Sequence, residues 1–305
     1  MGTILLFYKY IAIEDPTQIM HWQKTLCQQL GLKGRIILAT EGINGTVGGD
    51  TQSTNRYKEI MLNHPLFEGI DFKEASGDEQ CFPKMRIIVK NEIVYLGLDT
   101  TTINARNGGT HLKPAQAHEL INKQSDNLVL FDARNNFESR VGTFTNAITP
   151  DINHFRDLPE YIDNNLEQFK DKEVMMFCTG GIRCERASAY LQSKGITKKV
   201  YQIEGGIHRY IEQFPEGHFR GKNYVFDGRV TVAVNNDIIS TCDMCTTACD
   251  EYTHCLNASC NKQIICCPSC LIIYGNTCST ECQQLLATKQ VQPRPMFKKA
   301  TIQLN

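Results

Sequence analysis

Strand-length apolar runs and helical stretches alternate along this chain, and the kind of run changes twice. Ile4 to Ile11 reads as a strand. Asp15-Pro16-Thr17 then opens a helix through about Leu30, with Pro in the first turn, where its missing N–H costs nothing. Gly34 to Ala39 reads as a second strand, and Gly42 to Gly49 as a Gly-rich bend with a short strand. Thr51 to Asn63 reads as a helix ended by His64-Pro65, since a residue before proline avoids helical geometry. Arg86 to Val89 and Ile93 to Leu96 read as closing strands. Strand, helix, strand, strand, helix, strand over residues 1–95 predicts a ferredoxin-like α+β domain. The Gly-rich bend is no P-loop, because no Gly-Lys-Ser/Thr follows it. It serves either as a tight strand turn or as a place where a ligand or RNA approaches the backbone.

Residues 96–112 are polar and Gly-containing and read as a linker. Over residues 113–222 the strands become continuously apolar: Leu128 to Phe131, Val174 to Phe177 and Val200 to Ile203. Helical stretches at Pro114 to Lys123, Leu158 to Phe169 and Arg186 to Lys194 separate them. That alternation predicts a parallel sheet covered on both faces. Residues 223–240 read as a β-hairpin connection, 241–285 as a Cys-rich module, and 286–305 as a flexible tail carrying Arg294 and Lys298-Lys299. The fold class is therefore α/β: an N-terminal ferredoxin-like domain, a central parallel-sheet domain and a small C-terminal metal-binding module.

Of the 305 residues, 41% are hydrophobic and 21% charged, as in soluble globular proteins. No uncharged apolar run of about 18 residues occurs, and the first ten residues lack a basic region and cleavage site. A cytoplasmic protein without a membrane partner is expected. The net charge of −1 gives no global support for nucleic-acid binding, which would need a local basic face. Cysteine changes the picture more: of fourteen, ten fall between Cys242 and Cys282.

Cys178-Thr179-Gly180-Gly181-Ile182-Arg183-Cys184-Glu185-Arg186 lies between an apolar strand and a helix. Such a turn aims backbone N–H groups and the positive end of a helix at its first residue, which lowers a thiol's pKa. Cys178 is the candidate nucleophile, and Arg183 would add a cation at the rim. Cysteine phosphatases need Cys-x5-Arg, whereas Cys178 to Arg183 is Cys-x4-Arg. The shorter loop suits sulfur or another compact reacting centre. Cys184 could resolve an oxidised or persulfidated Cys178, or simply face the core.

At this point the chain resembles a rhodanese domain. Asp132-Ala133-Arg134-Asn135-Asn136-Phe137-Glu138 with Gly142-Thr143-Phe144, and Glu204-Gly205-Gly206, carry the likeness, although Thr143 stands where His is commoner. More narrowly, residues 1 to about 234 resemble the rhodanese-domain tRNA uridine 5-hydroxylases, including relatives with a Cys-rich tail. Gly31 to Thr46, Glu92 to Gly97, Phe177 to Glu185 and Tyr224-Val225-Phe226-Asp227-Gly228-Arg229-Val230 carry this resemblance, with Gly228 where many members have Glu. It implies O2-dependent hydroxylation of the wobble uridine to 5-hydroxyuridine, with the family cysteine at Cys178. The implied partners are a tRNA anticodon loop and an unidentified electron donor, not DNA. No flavin, nicotinamide or iron site is evident in the sequence.

Lys33, Arg35, Lys84, Arg86, Lys90 and Arg186 are the candidate RNA contacts, with Arg140 and Arg156 near the catalytic loop. Lys84 and Arg86, two apart, share a strand face. Two other readings stay open: a sulfurtransferase carrying a Cys178 persulfide, and a non-enzymatic RNA- or protein-binding adaptor.

The Cys-rich module offers four pairs: Cys242 with Cys245, Cys255 with Cys260, Cys267 with Cys270, and Cys278 with Cys282. Eight thiolates make two tetrahedral structural Zn2+ sites, and the expected arrangement is interleaved, first pair with third and second with fourth. Cys249, Cys266 and His254 are left over. Eight thiolates and two Zn2+ sum to −4, so this module would need nearby Lys and Arg to approach RNA.

Overall fold

The computed structural model describes residues 2–77 and 82–295. The first domain runs β1 (Gly2–Tyr10), α1 (Pro16–Gln29), β2 (Lys33–Ala39), β3 (Gly42–Asp50), α2 (Thr51–Leu62), β4 (Asp71–Gly77) and β5 (Met85–Val89). Asp15 caps α1, its carboxylate accepting from Thr17 and Gln18 N–H. The sheet order is β4-β1-β3-β2-β5. The first four strands make the ferredoxin-like unit, and β5 adds itself parallel to β2. The sequence reading missed β4. Its alternating polar residues suit an edge strand, and its place comes from pairing with β1, Phe72 opposite Phe7.

Ile93 to Leu96, expected as a strand, is irregular. Its N–H groups are satisfied by carboxylates instead of a neighbouring strand: Ile93 donates to Glu41, and Leu96 and Gly97 donate to Glu92. Residues 96–112 do not form a free linker either. Leu96 and Ile103 are buried in the central core, and the segment ends in β6 (Thr110–Leu112).

The central domain continues with α3 (Pro114–Asn122), β7 (Leu128–Asp132), α4 (Asn136–Ser139), β8 (Gly142–Phe144), α5 (Leu158–Asn164), β9 (Glu173–Phe177), α6 (Ile182–Ser193), β10 (Lys199–Ile203), α7 (Gly206–Gln213), β11 (Phe219–Tyr224) and β12 (Thr231–Ala233). Its main sheet, β6-β10-β9-β7, is wholly parallel. The apolar runs of β7 and β9 are buried because helices cover both faces. β11 and β12 form the expected hairpin, which starts earlier than predicted and also pairs with β8.

The last module holds β13 (Tyr252–His254), β14 (Gln263–Ile265), α8 (Pro268–Ile273) and α9 (Thr280–Ala287). It shares a core with Val141 and Tyr224 of the central domain. Tyr252 Oη donates to Phe137 O at 2.5 Å, and Arg140 pairs with Asp243 at 2.5 Å. The start of the expected flexible tail is tied down: Arg294 N–H donates to Leu256 O at 2.6 Å. Lys298 and Lys299 lie outside the described residues.

Candidate active site and metal centres

The pleat of the first sheet sorts its residues. Leu5, Phe7, Ile36, Leu38, Ile43 and Val47 pack under α1 and α2. Leu6, Tyr8, Arg35, Ile37, Asn44 and Thr46 point the other way and line a cavity of about 1170 Å3. The opposite wall is the Cys178 loop, and one side is closed by Tyr224 at the end of β11 with Phe226 and Arg229 of the β11–β12 connection. The site is thus built between domains.

Cys178 follows β9 directly and is fully buried in the cavity wall. Gly181, at φ +102°, turns the chain so that its N–H donates to Cys178 Sγ at 3.2 Å. Burial alone would push this thiol up. The Cys184 thiol, the Arg183 charge and the N–H groups of Arg183 and Cys184 outweigh it and hold Cys178 down at about 6. Cys184 is its mirror: burial and the neighbouring Cys178 sulfur push it well above the usual thiol range. The loop therefore keeps one proton on Cys184 and a thiolate on Cys178.

Arg183 is not the free rim cation expected. It is buried in a two-pronged ion pair with Glu138, at 2.5 and 2.6 Å. Glu138 also accepts from Thr179 Oγ1, so Arg183 braces the loop and lends Cys178 only its field. Behind it, Asp132 and Arg134 form a second fully buried pair at 2.6 Å, joined by Thr143 Oγ1. From the other side α7 closes in: Ile207 N–H donates to Cys178 O and His208 N–H to Thr179 O. A Cβ at Gly206 would lie 2.4 Å from Cys178 O, so this approach requires glycine.

Cations and aromatics line the rest of the cavity. Arg35, Lys73, Lys90 and Arg229 are present, as are Tyr8, Tyr95 and Phe226, of which Tyr95 and Phe226 are more than half exposed. Lys73 is buried, 2.9 Å from Asp71. Burial, with Lys73, Arg229 and Arg209 nearby, pushes His208 down to about 4 against the pull of Glu212, so it is neutral at physiological pH. Among the expected RNA contacts, Arg35 and Lys90 line the cavity. Arg35 is the register partner of Arg86, so the two share a face, and Lys84 and Arg86 are exposed while Lys33 is half-buried. Arg186 must be withdrawn. It is fully buried, paired with Glu92 and donating to Ile103 O and Leu98 O. Arg140 is committed to Asp243. Arg156 is exposed beside Asp157. Sequence reading missed Tyr8, Lys73, Glu138 and His208; Tyr8 and Glu138 acquire their roles from partners far away in the chain, Glu185 and Arg183, and all but Glu138 reach the cavity only once distant elements pack around it.

In the last module, the sulfurs of Cys242, Cys245, Cys267 and Cys270 lie within 4.8 Å of one another, as do those of Cys255, Cys260, Cys278 and Cys282. This is the interleaved arrangement. Contacts of 3.7 Å (Cys245–Cys267), 3.5 Å (Cys260–Cys278) and 3.8 Å (Cys278–Cys282) are far too long for disulfides. They match the edge of about 3.8 Å that a tetrahedral ion with bonds of about 2.3 Å to sulfur imposes. Cys267 and Cys278 N–H groups donate to Cys242 and Cys255 sulfur, as thiolates require. Both donor sets fit a metal. Cys249 and Cys266 stay buried outside them.

A parallel sheet that ends in a low-pKa cysteine, cradled by its own loop and facing a roomy cavity, defines a rhodanese-type catalytic domain. In keeping with this, the rhodanese-like domain family matches residues 113–213, the UPF0176 acylphosphatase-like domain family residues 2–93, and the rhodanase C-terminal family residues 220–283. The chain is 43% identical over 284 residues to the tRNA uridine(34) hydroxylase of Cytophaga hutchinsonii, covering 92% of this chain and 89% of that one. The enzymes of the same name from Staphylococcus saprophyticus and Corynebacterium diphtheriae are 42% and 38% identical, covering 92% of this chain and 89% and 93% of theirs. This chain belongs to the tRNA uridine(34) hydroxylase family. Among the described residues, no helix is long and apolar enough to cross a membrane.

Proposed function

We propose that this chain is a cytoplasmic tRNA uridine 34 hydroxylase that installs a 5-hydroxyl group, with Cys178 as nucleophile. The observation that carries this reading is a thiolate, held near a pKa of about 6, in the wall of a cavity lined by cations and aromatics. A single-stranded anticodon loop lets one base unstack and enter such a cavity at low cost. Exposed Tyr95 and Phe226 offer stacking faces at the cavity, and Arg35 and Lys90 offer charge to the phosphates.

The thiolate adds to C6 of uracil, and the electron pair moves to C5, which takes up oxygen. Dioxygen supplies one atom to C5. The other leaves as water with two electrons from an external donor and two protons. Loss of the C5 proton and of the C6–S bond restores the ring. Backbone N–H groups of the loop stabilise the thiolate at both ends of the cycle. The two four-cysteine clusters are assigned to structural Zn2+, which supplies folding energy to a module with little core of its own.

Nucleoside mass spectrometry of tRNA from cells lacking the native enzyme tests the reading. Wild-type protein should restore 5-hydroxyuridine and Cys178→Ala should not. If neither restores it, sulfane-sulfur transfer by Cys178 becomes the better reading.

A further inference from the structure

The last step of that chemistry needs a base for the C5 proton. Cys178 is itself the leaving group there, and its loop surrounds it with backbone N–H groups, the Arg183 charge, the Thr179 hydroxyl and the protonated Cys184 thiol, none of which is a base. The structure supplies another route. Tyr8 reaches the cavity from β1, and its ring lies against the Cys178 loop: a Cβ at Gly181 would sit 2.7 Å from Tyr8 Oη. Its hydroxyl donates to Glu185 Oε1 at 3.0 Å. The same oxygen lies 3.0 Å from His111 Nε2. Gln202 Nε2 fixes the other carboxylate oxygen at 3.1 Å and is itself held by Gly109 O. The His111 side chain is 48% exposed, at the solvent end. Strand β1, helix α6 and strand β6 thus align three proton-carrying groups from the cavity to bulk water.

We propose that Tyr8, Glu185 and His111 form a proton relay in which Tyr8 accepts the C5 proton of the uridine adduct and His111 passes a proton to solvent. This rests on the reading of Cys178 as the nucleophile at C6. In the step, the C5–H bond breaks and its electron pair forms C5=C6. The C6–S bond breaks and its pair returns to Cys178. The C5 proton arrives on Tyr8 Oη as the proton of Tyr8 moves to Glu185 Oε1. Glu185 hands a proton to Nε2 of neutral His111, whose Nδ1 proton leaves to water. No electrons enter or leave.

The electrostatics agree with a concerted shuttle. Burial, Glu185, Cys178 and Cys184 push the Tyr8 phenol far above its ordinary range, so it does not ionise alone. The Lys73 ammonium sits 5.3 Å from its ring centre. Glu185 faces Tyr8 and His111; His111 faces Glu185 and Glu204, and its hydrogen bond to Glu185 raises its pKa against the effect of burial.

The test needs no electron donor. Reversible thiolate addition exchanges the C5 hydrogen with solvent, so full-length protein and substrate tRNA are incubated in D2O without oxygen. Deuterium at uridine 34 is then read by mass spectrometry. Wild type should exchange and Cys178→Ala should not. Tyr8→Phe and Glu185→Gln should slow exchange by about 100-fold or more, the usual worth of a positioned acid–base group, while tRNA affinity and melting temperature stay near wild type. His111→Gln, a surface change, should slow exchange by about tenfold and be rescued by added imidazole. Wild-type exchange rates in Tyr8→Phe, or no imidazole rescue of a slowed His111→Gln, would overturn the relay and leave the Cys178 reading standing. Full exchange in Cys178→Ala would overturn that reading first. No exchange by the wild type would also overturn the relay.

Discussion

Cys178 is one thiol among donors, whereas the eight paired cysteines of the C-terminal module are thiols among one another. Around Cys178 stand the Gly181 N–H, the Arg183 guanidinium and a Cys184 thiol that keeps its own proton. Protein groups alone therefore hold its charge, and the sulfur stays available for reaction. In the module, four sulfurs crowd within 4.8 Å twice over. Such crowding of anions is tolerable when a cation sits at the centre, and it leaves those sulfurs inert. The same side chain is thus nucleophile or scaffold according to what satisfies its charge.

The two regions are mechanically joined. Tyr224 lines the cavity, belongs to the module core and hydrogen-bonds with Gln263 of β14. Its carbonyl accepts from Thr179 in the catalytic loop. The cluster of Cys242, Cys245, Cys267 and Cys270 lies on this side, with three of its members in the shared core. The largest expected effect follows. If both clusters hold a metal, as proposed, Cys245→Ser should lose one of two metal ions, unfold much of the module and cut hydroxylation severely, while Cys260→Ser should lose the other at a smaller cost to activity. Metal content by emission spectrometry, with tRNA modification measured on the same proteins, checks this. Equal activity losses would break the proposed link through Tyr224.

Glu138→Gln should rank next. It leaves the Arg183 charge buried without its partner and should destabilise the chain by about 3–5 kcal/mol in denaturant unfolding. A loss below about 1 kcal/mol would mean that Arg183 is not held as described.

The smallest effect is a shift on the pH axis. Cys178, depressed to about 6, should be alkylated by iodoacetamide with a rate that rises through pH 6, against about 8.5 for an ordinary thiol. A depressed pKa stabilises the folded thiolate. That contribution is complete above the unfolded value and is lost as pH falls through about 6. An inflection near 8.5 would remove the contrast between the loop and an ordinary cysteine.

Much of this was legible in sequence because it is local. The Cys178 loop, the capped start of α1 and the Cys pairs are each written within a few residues. What escaped depends on distant partners. Arg186 looks like a surface cation until Glu92 and two carbonyls of the supposed linker claim it. β4 has little strand character until Phe72 meets Phe7. Glu185 sits in plain view in the loop motif, yet its alignment with Tyr8 and His111 exists only after two domains pack together.

The proposed covalent bond between Cys178 and uridine 34 can be trapped with tRNA carrying 5-fluorouridine at that position. Fluorine cannot leave as a proton does, so the adduct should persist through denaturation. Mass spectrometry after nuclease and protease digestion should find one nucleotide on the Cys178 peptide. A fluorouridine fully hydroxylated without any adduct, or an adduct on another residue, would rule out Cys178 as the nucleophile at C6.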